Sequence, residues 1–437
     1  MKTDCLKNSV SQEEKKLKSQ SIIIEKQAIE KIPDILKKCN TRRVFVLTDK
    51  NAYHAAGERI LSILKNSEID YSEFMFCEDK TEPDEQAVGR AVMHYDGRCD
   101  TILAVGSGVI NDIGKILAHI TGKTYIIFAT APSMDGYASA TSSMALEGVK
   151  VSVLSKSADI IIGDIDILRN APLVMLKAGL GDMLAKYVSI CEWRIAHIVT
   201  GEYYCESIAA SVREAVKKCV ENAEGLLKRE ETAVKAVFEG LILCGCAMSR
   251  AGTSRPASGI EHYFSHIWDM RGLAWNTPVA LHGLQCAAAT LLTIRLYEKM
   301  HDITPDKENA IRYVRAFDFA GWSEQLRRFL GKGAEGMIEQ EEKEKKYSID
   351  KHKIRLERII ENWEAILQVI DEELPNAEAI AKLLRKLDMP EDCEAMGISK
   401  ELLPMTFCAT KDIRDKYVLS RLAWDLGIID EIAQNLI

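Results

Sequence analysis

At 437 residues the chain is too long for one ordinary hydrophobic core, so two domains are expected. A hydrophobic fraction of 47% with 28% charged residues is that of a soluble globular protein. The net charge of −8 argues against a nucleic-acid binder, which presents a basic face, but leaves room for a local basic pocket that takes a phosphorylated metabolite.

The opening residues Met1-Lys2-Thr3-Asp4-Cys5 lead into a charged run from Ser11 to Lys18 and lack the apolar core of a secretion signal. No apolar run reaches membrane-spanning length, and a cytoplasmic protein is expected. Twelve cysteines are scattered without regular spacing, mostly in apolar helical context, as buried thiols are. Cys244-Gly245-Cys246 is too tightly spaced for a zinc knuckle and reads as core.

From about Ser21 short β-branched runs alternate with amphipathic stretches. SIIIE (21–25), RVFVLT (43–48), Tyr71 to Phe76, TILAV (101–105), KTYIIF (123–128) and IIIG (160–163) read as strands. Helices are expected over Ala28 to Lys38, Lys50 to Asn66, Pro83 to Tyr95 and Asn111 to Ile120. This rhythm is the signature of a doubly wound, Rossmann-like parallel sheet, which binds ligands at the carboxyl ends of its strands.

Three such ends stand out. Asp49 could accept hydrogen bonds from a ribose or equally cap a helix. Gly106-Ser107-Gly108 opens a helix, where a bare backbone and free N–H groups suit a pyrophosphate, although Asn111 fills the third position of a GxGxxG fingerprint. Thr130 to Ser139 packs hydroxyls, turn residues and Asp135 into a loop polar enough to bind a ligand.

Strand signals stop near Pro172, which sets the expected domains at 1–171 and 172–437. Helices are expected over Leu173 to Cys191, Ser207 to Lys228, Glu231 to Met248, Glu261 to Met270 and Gly283 to Glu298. A charge-dense stretch at about 331–371 reads as a solvated helical extension, and more amphipathic helix runs to Ile437. Asp182 sits in apolar helical sequence and needs a partner there, unless the helix starts at Gly181 and the carboxylate caps it.

His262 and His266 stand four apart and share a helix face, and His282 follows. Alone, that pattern fits packed or solvated helix histidines better than ligands. With Asp182, however, His262 and His282 would make an N,N,O set with an open position, as catalytic metal sites have. Lys186, four residues after Asp182, could neutralise a carboxylate or meet a substrate anion.

Together GSGVIND (106–112), TAPSMDGYAS (130–139), GLGDMLAKY (179–187), SRPASGIEHYFSH (254–266) and LHG (281–283) resemble the sn-glycerol-1-phosphate dehydrogenases, specifically the bacterial branch associated with arabinose-operon loci. The wider group includes glycerol dehydrogenases, 3-dehydroquinate synthases and iron-type alcohol dehydrogenases. The resemblance implies a dehydroquinate synthase-like fold, an α/β nucleotide domain followed by an all-α domain, and a homodimer. It implies reduction of dihydroxyacetone phosphate to sn-glycerol 1-phosphate, with no nucleic-acid or membrane partner. Asp182, His262 and His282 would hold a zinc or nickel ion, and with His266 they make the catalytic set; Asp135, Asp182 and His266 would face the substrate. Gly106, Ser107, Gly108, Val109, Ile110, Asn111 and Asp112 would hold the nicotinamide cofactor, together with Thr130, Ala131, Pro132, Ser133 and Ser139. Asp49 near the adenosine ribose fits NAD, while Lys50 beside it leaves NADP open. Lys186 stands where iron-type enzymes place a histidine, which disfavours iron. Arg255 and Lys186 are the candidates for charge at the substrate phosphate. A glycerol dehydrogenase, a lyase-type member of the group and a non-catalytic metal or nucleotide sensor are the competing readings.

Overall fold

The computed structural model describes residues 21–147 and 149–436, so the charged run from Ser11 to Lys18 lies outside the described residues. The chain forms two compact units. Of the described residues, the first takes 21–147, 151–183 and 217–253, and the second takes 149–150, 184–216 and 254–436.

The first unit is built on strands Ser21–Glu25 (β1), Arg43–Asp49 (β2), Asp70–Phe76 (β3), Thr101–Gly106 (β4), Thr124–Ala129 (β5) and, after two further strands, Ile160–Asp164 (β8). All neighbours pair in parallel, in the order β1-β8-β5-β4-β2-β3. Every residue of β4 is buried, as is all of β5 but its first. Central parallel strands are covered on both faces, which is why they read as unbroken apolar runs. Helices Ile32–Lys38 (α1), Glu58–Asn66 (α2), Glu85–His94 (α3) and Gly108–Thr121 (α4) supply the crossovers. A π-helical turn at Tyr53–Gly57 interrupts the helix expected from Lys50 to Asn66.

Strands Thr141–Leu146 (β6) and Val149–Leu154 (β7) form a separate two-stranded sheet that the sequence reading overlooked. Its signal was present, since Val149, Val151 and Val153 alternate with Lys150 and Ser152.

Helix Leu173–Thr200 (α5) enters in the first unit, and Glu206–Glu221 (α6) and Glu231–Ala251 (α7) follow. By length and composition α7 is apolar enough to cross a membrane, which corrects the expectation that no run was. Here its Val234, Phe238 and Leu241 are buried. A methyl group at Gly163 of β8 would lie 2.2 Å from the Phe238 ring, so α7 packs directly on the sheet.

The second unit is helical. Ile260–Trp275 (α8) packs against His282–Glu298 (α9), and Lys307–Ala316 (α10) and Phe319–Leu330 (α11) follow. Gly333–Glu344 (α12), Ile349–Glu361 (α13) and Trp363–Glu373 (α14) form the charge-dense stretch. Ala377–Lys386 (α15), Leu403–Thr410 (α16), Leu419–Asp425 (α17) and Ile429–Gln434 (α18) complete it. The expected solvated extension is corrected in one respect: Met337, Ile338, Leu356, Ile359 and Ile366 are core residues. Some of its charges are buried as well. Glu341 pairs with Arg421 at 3.0 Å, Arg421 with Asp412 at 2.7 Å, and Arg355 with Asp425 at 2.7 Å. Alternating acids and bases in the sequence concealed an amphipathic period.

Candidate active site

In the first unit the chain steps from β2 outward to β3, then from β4 the opposite way to β5, so the topological switch lies at β2 and β4. Ligands of such sheets bind outside the carboxyl ends at that switch. Thr48 of β2 is level with Val105 of β4, which sets Asp49 beside Gly106. A side chain at Gly106 would lie 2.5 Å from Ile110 Cβ, so only glycine allows the tight turn into α4. The Thr130 N–H donates to Gly106 O at 3.1 Å and brings the next loop alongside. Asp49 caps a helical turn, its Oδ1 accepting from the Ala52 N–H at 2.8 Å, so one of its two carboxylate oxygens is engaged in capping.

The loop from Thr130 to Ser139 is held rigidly. Asn111 Nδ2 and Lys115 Nζ both donate to Gly136 O, at 3.2 and 3.1 Å, and Lys115 also pairs with Asp112 at 2.9 Å. Lys115 is fully buried and was not singled out from sequence. Ser139 Oγ is engaged locally, 3.1 Å from Gly136 O and 2.9 Å from Thr141 O. A methyl group at Gly179 of α5 would lie 1.8 Å from Pro132 O, and one at Gly245 of α7 would lie 2.8 Å from Asp135 O. Asp182 lies nine residues into α5, which removes the helix-cap reading. Its carboxylate is fully buried and accepts from the Asp135 N–H at 2.9 Å.

The second unit gathers three imidazoles. His262 and His266 lie on α8 and His282 opens α9, with ring centroids 5.1 Å apart for His262 and His282, 6.4 Å for His262 and His266, and 5.9 Å for His266 and His282. Glu261 Oε1 stands 2.7 Å from His262 Nδ1 and also accepts from the Gly259 N–H at 2.7 Å. An acceptor there keeps the ring proton on Nδ1 and leaves Nε2 its lone pair, the usual preparation of a ligand histidine. Ser265 Oγ does similar orienting work at 2.8 Å from His282 Nδ1. His266 Nδ1 is buried without a hydrogen-bond partner. Burial, then the charges of Arg414, His282, His262 and Lys150, holds His266 well below its ordinary value, so the ring is neutral near pH 7.

The start of α8 is fixed by Glu192 of α5, whose Oε2 accepts from the Ile260 N–H at 2.8 Å while Oε1 accepts from the Leu419 N–H at 2.7 Å and the Tyr297 hydroxyl at 3.1 Å. Burial, with Glu261 nearby, pushes Glu192 up to about 8. A methyl group at Gly259 would lie 2.7 Å from both Glu192 Oε2 and Glu261 Oε2, which explains the glycine ahead of the histidines. Glu192, Glu261 and Ser265 escaped the sequence reading, because carboxylates and hydroxyls that orient a helix end or a histidine ring carry no spacing of their own. Cys286 escaped too, although it follows His282 by one helical turn; its Sγ lies 3.6 Å from His282 Nε2.

Arg255 is not a phosphate ligand in this arrangement, which corrects its expected role. It is 2% exposed and forked onto Glu202 at 2.6 Å through both Nε and Nη2, while Nη1 donates to Tyr417 O at 2.8 Å. Lys186, one turn after Asp182, is buried.

Residues 23–172 match the iron-containing alcohol dehydrogenase family. The glycerol-1-phosphate dehydrogenase [NAD(P)+] of Halalkalibacterium halodurans is 33% identical over 276 residues, spanning 62% of this chain and 69% of that protein. The chain belongs to the glycerol-1-phosphate dehydrogenase family. Another glycerol-1-phosphate dehydrogenase [NAD(P)+], from Bacillus subtilis, is 31% identical over 68% of this chain and 77% of its own length. The fold is shared more widely. A probable glycerol dehydrogenase from Sinorhizobium meliloti superposes with a TM-score of 0.59 at 18% identity, covering 95% of this chain and 97% of that one. A 1,3-propanediol oxidoreductase does so with a TM-score of 0.61 at 15% identity, covering 95% and 98%. This glycerol-1-phosphate dehydrogenase family member therefore has the dehydroquinate synthase-like fold of the iron-type alcohol dehydrogenase group.

Proposed function

We propose that this chain is an NAD(P)-dependent glycerol-1-phosphate dehydrogenase that reduces dihydroxyacetone phosphate to sn-glycerol 1-phosphate with the help of a divalent ion. The observation that carries this reading is the 33% identity to a relative of that name. The His262 and His282 pair, each ring held by an orienting neighbour, supports it.

We assign Asp182, His262 and His282 as the ligands of that ion, zinc or nickel, since imidazole and carboxylate donors suit both. The bare turn at Gly106 and the N-terminus of α4 suit a dinucleotide pyrophosphate, with Asp49 next to the ribose. When bound, the ion supplies Lewis-acid polarisation of a carbonyl and the nicotinamide supplies hydride. The protein's own part is orientation. Glu261 and Ser265 hold the two ligand rings, and the loop clamped by Gly179 and Gly245 holds Asp135 and the Asp182 carboxylate. His266 offers an unpartnered Nδ1 for a hydrogen bond to the substrate.

The test is NADH oxidation with dihydroxyacetone phosphate on exhaustively chelated protein, restored separately with zinc and nickel. Metal-dependent turnover is expected, and little with unphosphorylated dihydroxyacetone. Equal rates on the unphosphorylated ketone would replace this reading with a polyol dehydrogenase. Full turnover by chelated His262→Ala would remove the metal.

A further inference from the structure

We propose that Cys286 is a thiolate ligand of the ion that His262 and His282 hold. The proposal rests on the metal reading above and adds a sulfur donor to it.

Three observations converge. Ligand atoms of His262, His282 and Cys286 all lie within 4.8 Å of one another. Cys286 Sγ lies 3.6 Å from His282 Nε2. Metal bonds of about 2.3 Å to sulfur and 2.0–2.1 Å to nitrogen, meeting at a tetrahedral angle, place the two donors about 3.5–3.6 Å apart. The observed separation is compatible with a shared ion. The helix supplies it: His282 and Cys286 are one turn apart in α9, on the same face. The rest of the setting is prepared for the same purpose. Cys286 is buried, and Ser265 occupies the opposite nitrogen of His282, so Nε2 is the nitrogen turned to the sulfur. On binding, the thiol proton leaves to solvent as the metal–sulfur bond forms, and no oxidation state changes.

A sulfur donor shifts preference toward softer borderline ions, zinc and nickel, over magnesium or manganese. A thiol-to-imidazole hydrogen bond would give a similar separation without any metal role, so the test has to see the metal–sulfur bond itself.

The full-length protein is stripped of metal and loaded with one equivalent of Co(II), and absorption is recorded from the near-ultraviolet to the visible. An intense sulfur-to-cobalt charge-transfer band is expected in the near-ultraviolet beside weaker ligand-field bands. In Cys286→Ser the charge-transfer band should vanish while the ligand-field bands remain, and cobalt should dissociate about tenfold more readily. Stoichiometric cobalt without the charge-transfer band, or a band that survives in Cys286→Ser, overturns the sulfur ligand and leaves the histidine reading intact. No cobalt uptake by the unaltered protein overturns both. If the serine variant does not fold, X-ray absorption on the cobalt-loaded unaltered protein decides. A sulfur scatterer at about 2.3 Å supports the proposal, and a shell of nitrogen and oxygen alone overturns it.

Discussion

Glu261 shows how a single neighbour can fix the orientation of a histidine. It contacts Nδ1 of His262 at 2.7 Å and is itself anchored by the Gly259 N–H. Loss of such an orienting carboxylate typically weakens metal binding 10–100-fold. Glu261→Ala is therefore expected to lower metal affinity by about that factor with the fold retained, measured by competition with a chromophoric chelator; unchanged affinity would show that His262 is oriented by packing alone. Arg255 leads to the opposite expectation. Its guanidinium is spent on the partly buried Glu202 and on Tyr417, and losing hydrogen bonds to a charged group costs about 1.5–3 kcal/mol. Arg255→Ala should lower Tm by several degrees while KM for dihydroxyacetone phosphate in the folded fraction stays within about twofold. A selective rise in KM at unchanged Tm would restore Arg255 as a phosphate ligand.

Among the elements, α5 and α7 confine the loop from Thr130 to Ser139 through two glycines. Gly179→Ala would drive a methyl group into a carbonyl oxygen 1.8 Å away, which rigid backbone cannot absorb. Overpacking of this kind costs about 1–3 kcal/mol. Because the loop also carries Asp135, whose N–H binds Asp182, metal retention should fall along with Tm. A Gly179→Ala protein with native Tm and native metal content would mean that the loop yields freely. The sheet and its strand ends were legible from sequence because buried parallel strands repeat a simple apolar signal, as in TILAV and KTYIIF. The histidine cluster was legible only through several motifs together. Hidden from that reading were Glu192 and Lys115, each defined by a tertiary neighbour rather than by spacing, while Cys286, one turn after His282, carried a spacing signal that was passed over. Arg255 was misread because a basic residue beside a site motif looks the same whether it meets solvent, a ligand or the partly buried Glu202.

For the molecule as a whole, the two units carry different features: a glycine turn at a strand end in the first, an imidazole cluster in the second. The second unit also carries a pH dependence. Glu192 is raised from its ordinary 4.5 to about 8 by burial and Glu261. The folded state therefore keeps a proton that the unfolded chain releases. That stabilisation is complete below about 4.5 and disappears as pH rises through about 8, an effect on the order of a few kcal/mol. Tm should fall as pH is raised across this window, and Glu192→Gln should flatten the fall. Parallel Tm profiles for the two proteins would exclude Glu192 as the source.

The same carboxylate has a consequence for how the molecule is assembled. It joins Ile260 at the head of α8, Tyr297 on α9 and the Leu419 N–H, the last across 227 positions of chain. Contacts that distant close slowly, since the loop entropy must be met before they return anything. A nascent chain would carry His262 and His266 out of the ribosome long before the residue that completes their anchor. The cluster should thus mature late, after synthesis has passed residue 419, and until then its histidines and Cys286 would be open to adventitious metal.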